Sequence, residues 1–326
     1  MSQTLTVHDI ARLAGVSAMT VSRALNHPEK VSPATLAKVQ AVVQHTGFVP
    51  NGMAGGLRSS RAKLVAAVLP TLVGPVFQET TRALNAALDA RGYQLMIGQS
   101  GYDVSREDSL LDAIIRRRPD GIVHTPAGRR QLLASGIPVV ETWDLTPTPI
   151  DMLVGFSNEE IGTSVCTWLH QRGYRRPALI SGQDERAQRR NASFLRQARA
   201  LGMDADIPVC LTPAPTTLGA GRATLARLLD RPGGVDAVFC SSDMLALGVM
   251  MEAQARGLRV PGQLGVVGLG DLEFATDLQP ALTTVRIDGT RIGETAARYI
   301  VDRVEGRTVE QPILDIGFSI IERQSA

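Results

Sequence analysis

From Leu64 to the C-terminus, short apolar runs rich in β-branched residues alternate with stretches of helical period, and no other feature restricts the fold as strongly. The predicted strands are Val65–Leu69, Gln94–Ile97, Gly121–His124, Pro138–Glu141, Leu153–Phe156, Ala178–Ser181, Val209–Thr212, Ala237–Ser241 and Leu264–Gly268. Helices of 12 to 17 residues fall between many of them, as at Pro75–Arg91 and Ser157–Arg172. Strands separated by helices rejoin their sheet through crossovers, so the sheets are parallel and covered on both faces. Nine or more strands over about 260 residues fit two doubly wound lobes better than one, and 44% apolar residues suffice to fill both cores.

The first sixty residues read differently. Thr6 is a good N-cap, and Asp9 stands three residues on, where a carboxylate favours a helix start. A helix from about Val7 to Ala14 follows, with Val7, Ile10, Ala11 and Ala14 on one face. Gly15-Val16 makes a turn, and Ser17 caps a second helix that runs to about Asn26. Three residues between helices, with glycine where φ > 0 is needed, is helix-turn-helix spacing. A third helix starts at Ser32-Pro33 and stops at Gly47. Three such helices could also form a protein-interaction bundle. The second argues against that, because its exposed face presents Ala18, Met19, Ser22, Arg23 and Asn26, short groups plus one long cation that suit a major groove.

Charge separates the same two regions. The formal net charge is +2, yet residues 1–63 hold Arg12, Arg23, Lys30, Lys38, Arg58, Arg61 and Lys63 against Asp9 and Glu29, a balance of +5 that leaves −3 for the rest. A small basic module on a mildly acidic body is expected where one end meets a polyanion. The N-terminus lacks the basic-then-apolar pattern of an export signal, and no run of 18 apolar residues occurs, so a cytoplasmic location without a membrane is expected. Cys166, Cys210 and Cys240 are odd in number and set in apolar stretches, which points to buried free thiols rather than a disulfide framework or metal site.

The runs Thr6-Val7-His8-Asp9-Ile10-Ala11, Ala14-Gly15-Val16-Ser17, Thr20-Val21-Ser22-Arg23-Ala24-Leu25-Asn26 and Val31-Ser32-Pro33-Ala34-Thr35 resemble the DNA-binding headpiece of the lactose-repressor/galactose-repressor (LacI/GalR) family. The resemblance implies that the first two positions of the recognition helix, here Ala18 and Met19, read the operator half-site. Neither forms a bidentate hydrogen bond, so they would pack on thymine methyls and leave Arg23 to read guanine. Ser17, Thr20 and Asn26 would serve phosphates or helix caps, with Lys30 also on the DNA side. Residues 48–62 resemble the family's hinge, in which a short helix forms on the operator and inserts a leucine into the minor groove. Leu57 matches that leucine, flanked by Asn51, Met53, Ala54 and Arg58. Three glycines, Gly55 among them where arginine is common, should keep such a helix from persisting free in water. A plain flexible linker is the other reading.

In doubly wound lobes ligands bind at the carboxyl ends of strands. The loops so placed are Pro70–Phe77, Gln99–Asp103, Glu141–Asp144, Gly182–Arg190, Ser241–Asp243 and Gly268–Asp271. None carries a dinucleotide fingerprint, so no cofactor is expected. His124 and His170 lie on different elements with no metal or catalytic spacing, which makes an enzyme unexpected. Asp243 and Asp271 could pair as acid and base, or serve as hydroxyl acceptors or caps. The body also resembles the family's effector domain, itself similar to periplasmic sugar-binding proteins, through Ser241-Ser242-Asp243-Met244-Leu245-Ala246-Leu247-Gly248, Val260-Pro261, Val266-Val267-Gly268 and Leu282-Thr283-Thr284-Val285.

The expected architecture is therefore α/β: a helix-turn-helix headpiece (1–47), a hinge (48–62) and a two-lobed periplasmic-binding-protein-like core (63–326). Lobe 1 would take about 63–156 and 286–313, and lobe 2 about 157–285 and 314–326. Family pocket positions map onto Glu141, Arg190, Ser242 and Gly270, with Phe77, Tyr102 and Trp143 as stacking candidates and Asp243 alongside. Arg190 matches an arginine that grips sugar hydroxyls. Ser242 and Gly270 depart from the amide and aspartate common in neutral-sugar repressors. Loss of that aspartate favours an anion, which Arg186 and Arg190 could hold together. Alternatively Arg186, Arg189 and Arg190 form a solvated basic face. Strings such as Val68-Leu69-Pro70, Gly101-Tyr102 and Leu314-Asp315-Ile316-Gly317-Phe318 resemble the gluconate-repressor branch. The expectation is a dimeric repressor of a near-palindromic operator, controlled by a sugar acid such as gluconate or a ketogluconate. A neutral-sugar regulator, a solute-binding module without DNA affinity, or a sugar-modifying enzyme are the competing readings.

Overall fold

Thr6 starts the first helix through a reciprocal cap. Its hydroxyl accepts the Asp9 amide at 3.3 Å while its own amide donates to Asp9 Oδ2 at 2.9 Å. The computed structural model describes residues 5–48, 62–72, 75–125, 130–146, 148–203, 206–231 and 233–326, which fall into two units, Met1–Ala62 and Lys63–Ala326. In the first, α1 (Val7–Ala14) ends at Gly15 with φ 66°, and Ser17 caps α2 (Ala18–Asn26) by accepting the Thr20 amide at 3.1 Å. A single turn at Pro28–Lys30 leads to α3 (Pro33–Thr46), capped by Ser32. One side chain from each helix, Ile10, Val21 and Val39, is completely buried, with Ala11, Ala24 and Phe48 around them. Beyond Phe48 the expected hinge residues Asn51, Met53, Ala54, Leu57 and Arg58 lie outside the described residues.

The second unit is built from two six-stranded sheets. The first has the order β11-β5-β4-β3-β1-β2, formed by β1 (Leu64–Leu69), β2 (Gln94–Gln99), β3 (Gly121–His124), β4 (Val139–Thr142), β5 (Met152–Gly155) and β11 (Ile313–Asp315). The second has the order β12-β10-β9-β8-β6-β7, formed by β6 (Pro177–Ser181), β7 (Val209–Leu211), β8 (Ala237–Cys240), β9 (Gly265–Leu269), β10 (Thr283–Arg286) and β12 (Ser319–Ile321). Among the described residues every pair is parallel except β10–β12. Helices α4 (Pro75–Asp89), α5 (Val104–Ile115), α6 (Arg130–Ser135) and α11 (Gly289–Val304) go with the first sheet. Helices α7 (Asn158–Gln171), α8 (Glu185–Ala200), α9 (Leu218–Leu229) and α10 (Asp243–Ala255) go with the second. Strands such as β3, β4, β5 and β8 are buried at every position, as expected for parallel strands covered on both faces.

The chain passes between lobes three times, after β5, after β10 and after β11. The apolar run Pro312–Glu322, which reads as one strand, breaks at Gly317 (φ 68°), whose amide donates to Asp315 Oδ1 at 2.8 Å. Its first half joins lobe 1 as β11 and its second joins lobe 2 as β12. The expected exchange between 313 and 314 thus cuts through β11, and the expected exchange before 286 removes the last residue of β10. Thr283–Arg286 contributes a further strand, β10, outside the set predicted from the strand pattern.

Candidate functional site

On the headpiece, Met19 is 56% exposed and Arg23 is exposed beside it, while Ala18, Thr20 and Ser22 are half-buried. Ser17 and Thr20 hydroxyls lie 2.9 Å apart and serve the α2 cap, so their first role is local. Lys30 is exposed on the turn after α2, and Asn26 closes that helix, its side chain lying outside the described residues.

In the body, the carboxyl ends of the strands assemble one polar cluster from both lobes. Arg190, on the second turn of α8, is only 8% exposed. Burial depresses its pKa to about 10, against a smaller opposing effect of Asp184. Its Nη1 donates to Asn158 Oδ1, and Asn158 Nδ2 donates to Asp144 Oδ1 at 3.0 Å. The other Asp144 oxygen pairs with Arg189 Nη2. Asp144 follows Trp143, which adopts φ 78°. The Trp143 ring lies stacked on Phe77 with centroids 4.1 Å apart and edge-on to Phe156 at 6.2 Å. Tyr102, from the loop after β2, is half-buried and feels the fields of Arg186, Asp184 and Arg190, with its phenol pKa raised chiefly by burial. Arg186 faces Asp184 at 3.5 Å. Gly162 permits this arrangement: a Cβ there would stand 2.2 Å from the Arg190 carbonyl, so α7 and α8 meet backbone to backbone.

Phe77, Tyr102, Trp143, Arg186 and Arg190 are thus brought into one neighbourhood, and the three arginines are not a solvated face, since Arg186 and Arg189 are half-buried and Arg190 is buried. Other expected ligand contacts are spent elsewhere. Asp243 is 1% exposed, and its oxygens accept the Leu272 amide at 2.8 Å and the Thr284 hydroxyl at 2.6 Å. It therefore ties three segments together, and burial raises its pKa. Asp271, the other carboxylate of the expected pair, is held by Arg323 at 2.6 Å. Glu141 turns inward and accepts the Ile150 amide at 2.7 Å, ordering the β4–β5 loop. Ser242 caps α10 and lies 2.9 Å from the Thr216 hydroxyl. Gly270 takes φ 136° and donates its amide to Val285. Asp144 and Asn158 were not among the expected contacts, because only the fold sets them beside Arg190, whereas Asp184 and Arg189 stand near it in the sequence.

Among the described residues no group of three or more His, Cys, Asp and Glu side chains gathers as a metal site, and no helix is long and apolar enough to cross a membrane. His124 is buried against Glu107 at 2.9 Å. Cys166 and Cys240 are buried, whereas Cys210, on the edge strand β7, is only partly so; burial raises the pKa of all three thiols.

Residues 6–51 match the model for bacterial regulatory proteins of the lacI family, and residues 167–326 match a periplasmic binding protein-like domain. The HTH-type transcriptional regulator GntR of Pseudomonas aeruginosa is 34% identical over 327 residues, covering 98% of this chain and 95% of that protein. The regulator of the same name from Escherichia coli K12 is 30% identical, covering 96% of each. The crystal structure of a LacI family transcriptional regulator from Silicibacter pomeroyi is 30% identical and superposes with a TM-score of 0.91 over 98% of this chain and 99% of that one.

Proposed function

The chain belongs to the lacI family of bacterial regulatory proteins, and on that premise we propose that it is a repressor whose DNA binding is switched by a sugar acid, with gluconate or a ketogluconate foremost. DNA binding resides in the headpiece. Arg23 reads a guanine through O6 and N7, Ala18 and Met19 pack on thymine methyls, and Lys30 meets phosphate. Leu57, with Asn51, Met53, Ala54 and Arg58 about it, wedges the minor groove at the centre of a near-palindromic site. A second copy of the chain supplies the other half-site. An apolar groove on lobe 2, lined by Leu247, Met250, Met251, Leu258, Val260 and Pro280, supports this pairing, with Met251 40% exposed.

One observation carries the effector reading. Around the buried Arg190, three buried N–H donors have no acceptor among the described residues: Arg186 Nη1, Arg189 Nε and Trp143 Nε1. Buried donors left unpaired cost free energy that an acceptor-rich ligand returns. A carboxylate on a polyol supplies charge-assisted acceptors for the guanidiniums and hydroxyl oxygens for the indole, and the Trp143–Phe77 stack offers an apolar wall.

Calorimetric titration with gluconate, 2-ketogluconate, ribose and galactose tests the ligand class. Binding of the acids alone is expected, and a response confined to the neutral sugars refutes it. A gel-shift titration on the DNA upstream of the protein's own gene, with and without the acids, tests the switch.

A further inference from the structure

The polar cluster holds a nearly fully buried amide that reaches both lobes. Asn158 is 2% exposed at the start of α7. Its Nδ2 donates to lobe 1, to Asp144 Oδ1 at 3.0 Å and more distantly to the Trp143 carbonyl at 3.5 Å. Its Oδ1 accepts from Arg190 of lobe 2. A carboxylate can accept only and a guanidinium can donate only, so these two neighbours fix which way the amide points. Asp144 is in turn gripped by Arg189, which neighbours Arg190 on α8.

We propose that Asn158 is the positioning residue that couples effector occupancy to the arrangement of the lobes. Resting on the effector reading above, it holds Arg190 in place for the ligand with its oxygen and registers the Trp143–Asp144 segment against α7 with its nitrogen. A ligand acceptor that draws Arg190 or Arg189 toward itself alters the partners of Asn158 and Asp144, and the aromatic wall moves with them. The two states of the lobes then differ in hydrogen bonds that the ligand also uses, which is the differential interaction an allosteric ligand needs.

Two substitutions separate the halves of this role. Asn158→Asp keeps an acceptor for Arg190 but sets a carboxylate against Asp144. Asn158→Leu removes both functions. In the full-length protein carrying Trp168→Phe, so that Trp143 is the only indole, acrylamide quenching of Trp143 is measured without ligand. D-gluconate affinity and operator affinity with and without gluconate are then measured. For Asn158→Asp the expected result is increased quenching, a gluconate Kd raised less than in Asn158→Leu, and a change in operator affinity by gluconate that falls from the roughly 5- to 150-fold usual for coupled sites to about onefold. For Asn158→Leu gluconate affinity also falls, by about tenfold or more.

Unchanged quenching and coupling in Asn158→Asp, or identical behaviour of the two variants, overturns the proposal. If neither variant folds by circular dichroism, Asp144→Ala removes the acceptor of the Asn158 amide and so breaks the same link from lobe 1, judged by the same readouts. Failure of gluconate to bind the parent counts against the sugar acid alone, because Trp143 quenching judges the junction without any ligand.

Discussion

Arg190→Met should stabilise the ligand-free protein while impairing its response. Burial that holds a guanidinium near 10, well below its ordinary range, sets about 3 kcal/mol against its charged form at neutral pH. With a depressed folded pKa the penalty applies in full below about pH 10 and fades only above it. Methionine of similar length removes the charge, but leaves Asn158 Oδ1 without its donor, at a cost of about 1–3 kcal/mol. The difference is a net gain of up to about 2 kcal/mol, read in differential scanning calorimetry as a rise of up to about 4 °C for a body of this size. Titration calorimetry should show effector affinity lowered about 10- to 100-fold, the loss of charge-assisted hydrogen bonds. In the parent protein an anionic effector favours the charged guanidinium, so affinity is flat below about pH 9 and declines as pH rises through about 10. A fall in Tm of several degrees together with unchanged affinity would show that Arg190 is a structural cation, compensated without any ligand, and would refute this account.

Three further outcomes are expected. Arg23→Ala should cost about 1–3 kcal/mol in operator binding and relax discrimination at one base pair per half-site, measured by anisotropy against single-base operator variants; uniform weakening on every sequence would make Arg23 a phosphate contact instead. Thr6→Ala removes the reciprocal cap and about 1 kcal/mol of local stability, an approximately fivefold loss of amide-exchange protection over Val7–Ala14. Removing residues 1–62, the whole first unit, should abolish operator affinity and its steep salt dependence yet leave calorimetric effector binding within about twofold, whereas retained DNA binding would place a second basic surface on the body.

The sequence by itself determined the elements whose causes are local. Thr6, Ser17 and Ser32 cap their helices as their spacing predicts, Gly15 turns the chain, and the β-branched runs fall within β1 to β9 to within one or two residues. Caps, turns and hydrophobic period act over a few residues, so they survive in one dimension. Only the tertiary structure decided which polar residues meet. Asp144 and Asn158 are 14 positions apart, Asp144 and Arg189 are 45 apart, and the triple passage of the chain between lobes is what sets them side by side. Asp243 shows the converse. It stands in a strand-end loop where a ligand contact was expected, but Gly268 leaves the space its carboxylate fills: a Cβ there would lie 2.1 Å from Oδ1. The direction a side chain takes depends on room left by residues far away in sequence, and that room exists only once both sheets have formed.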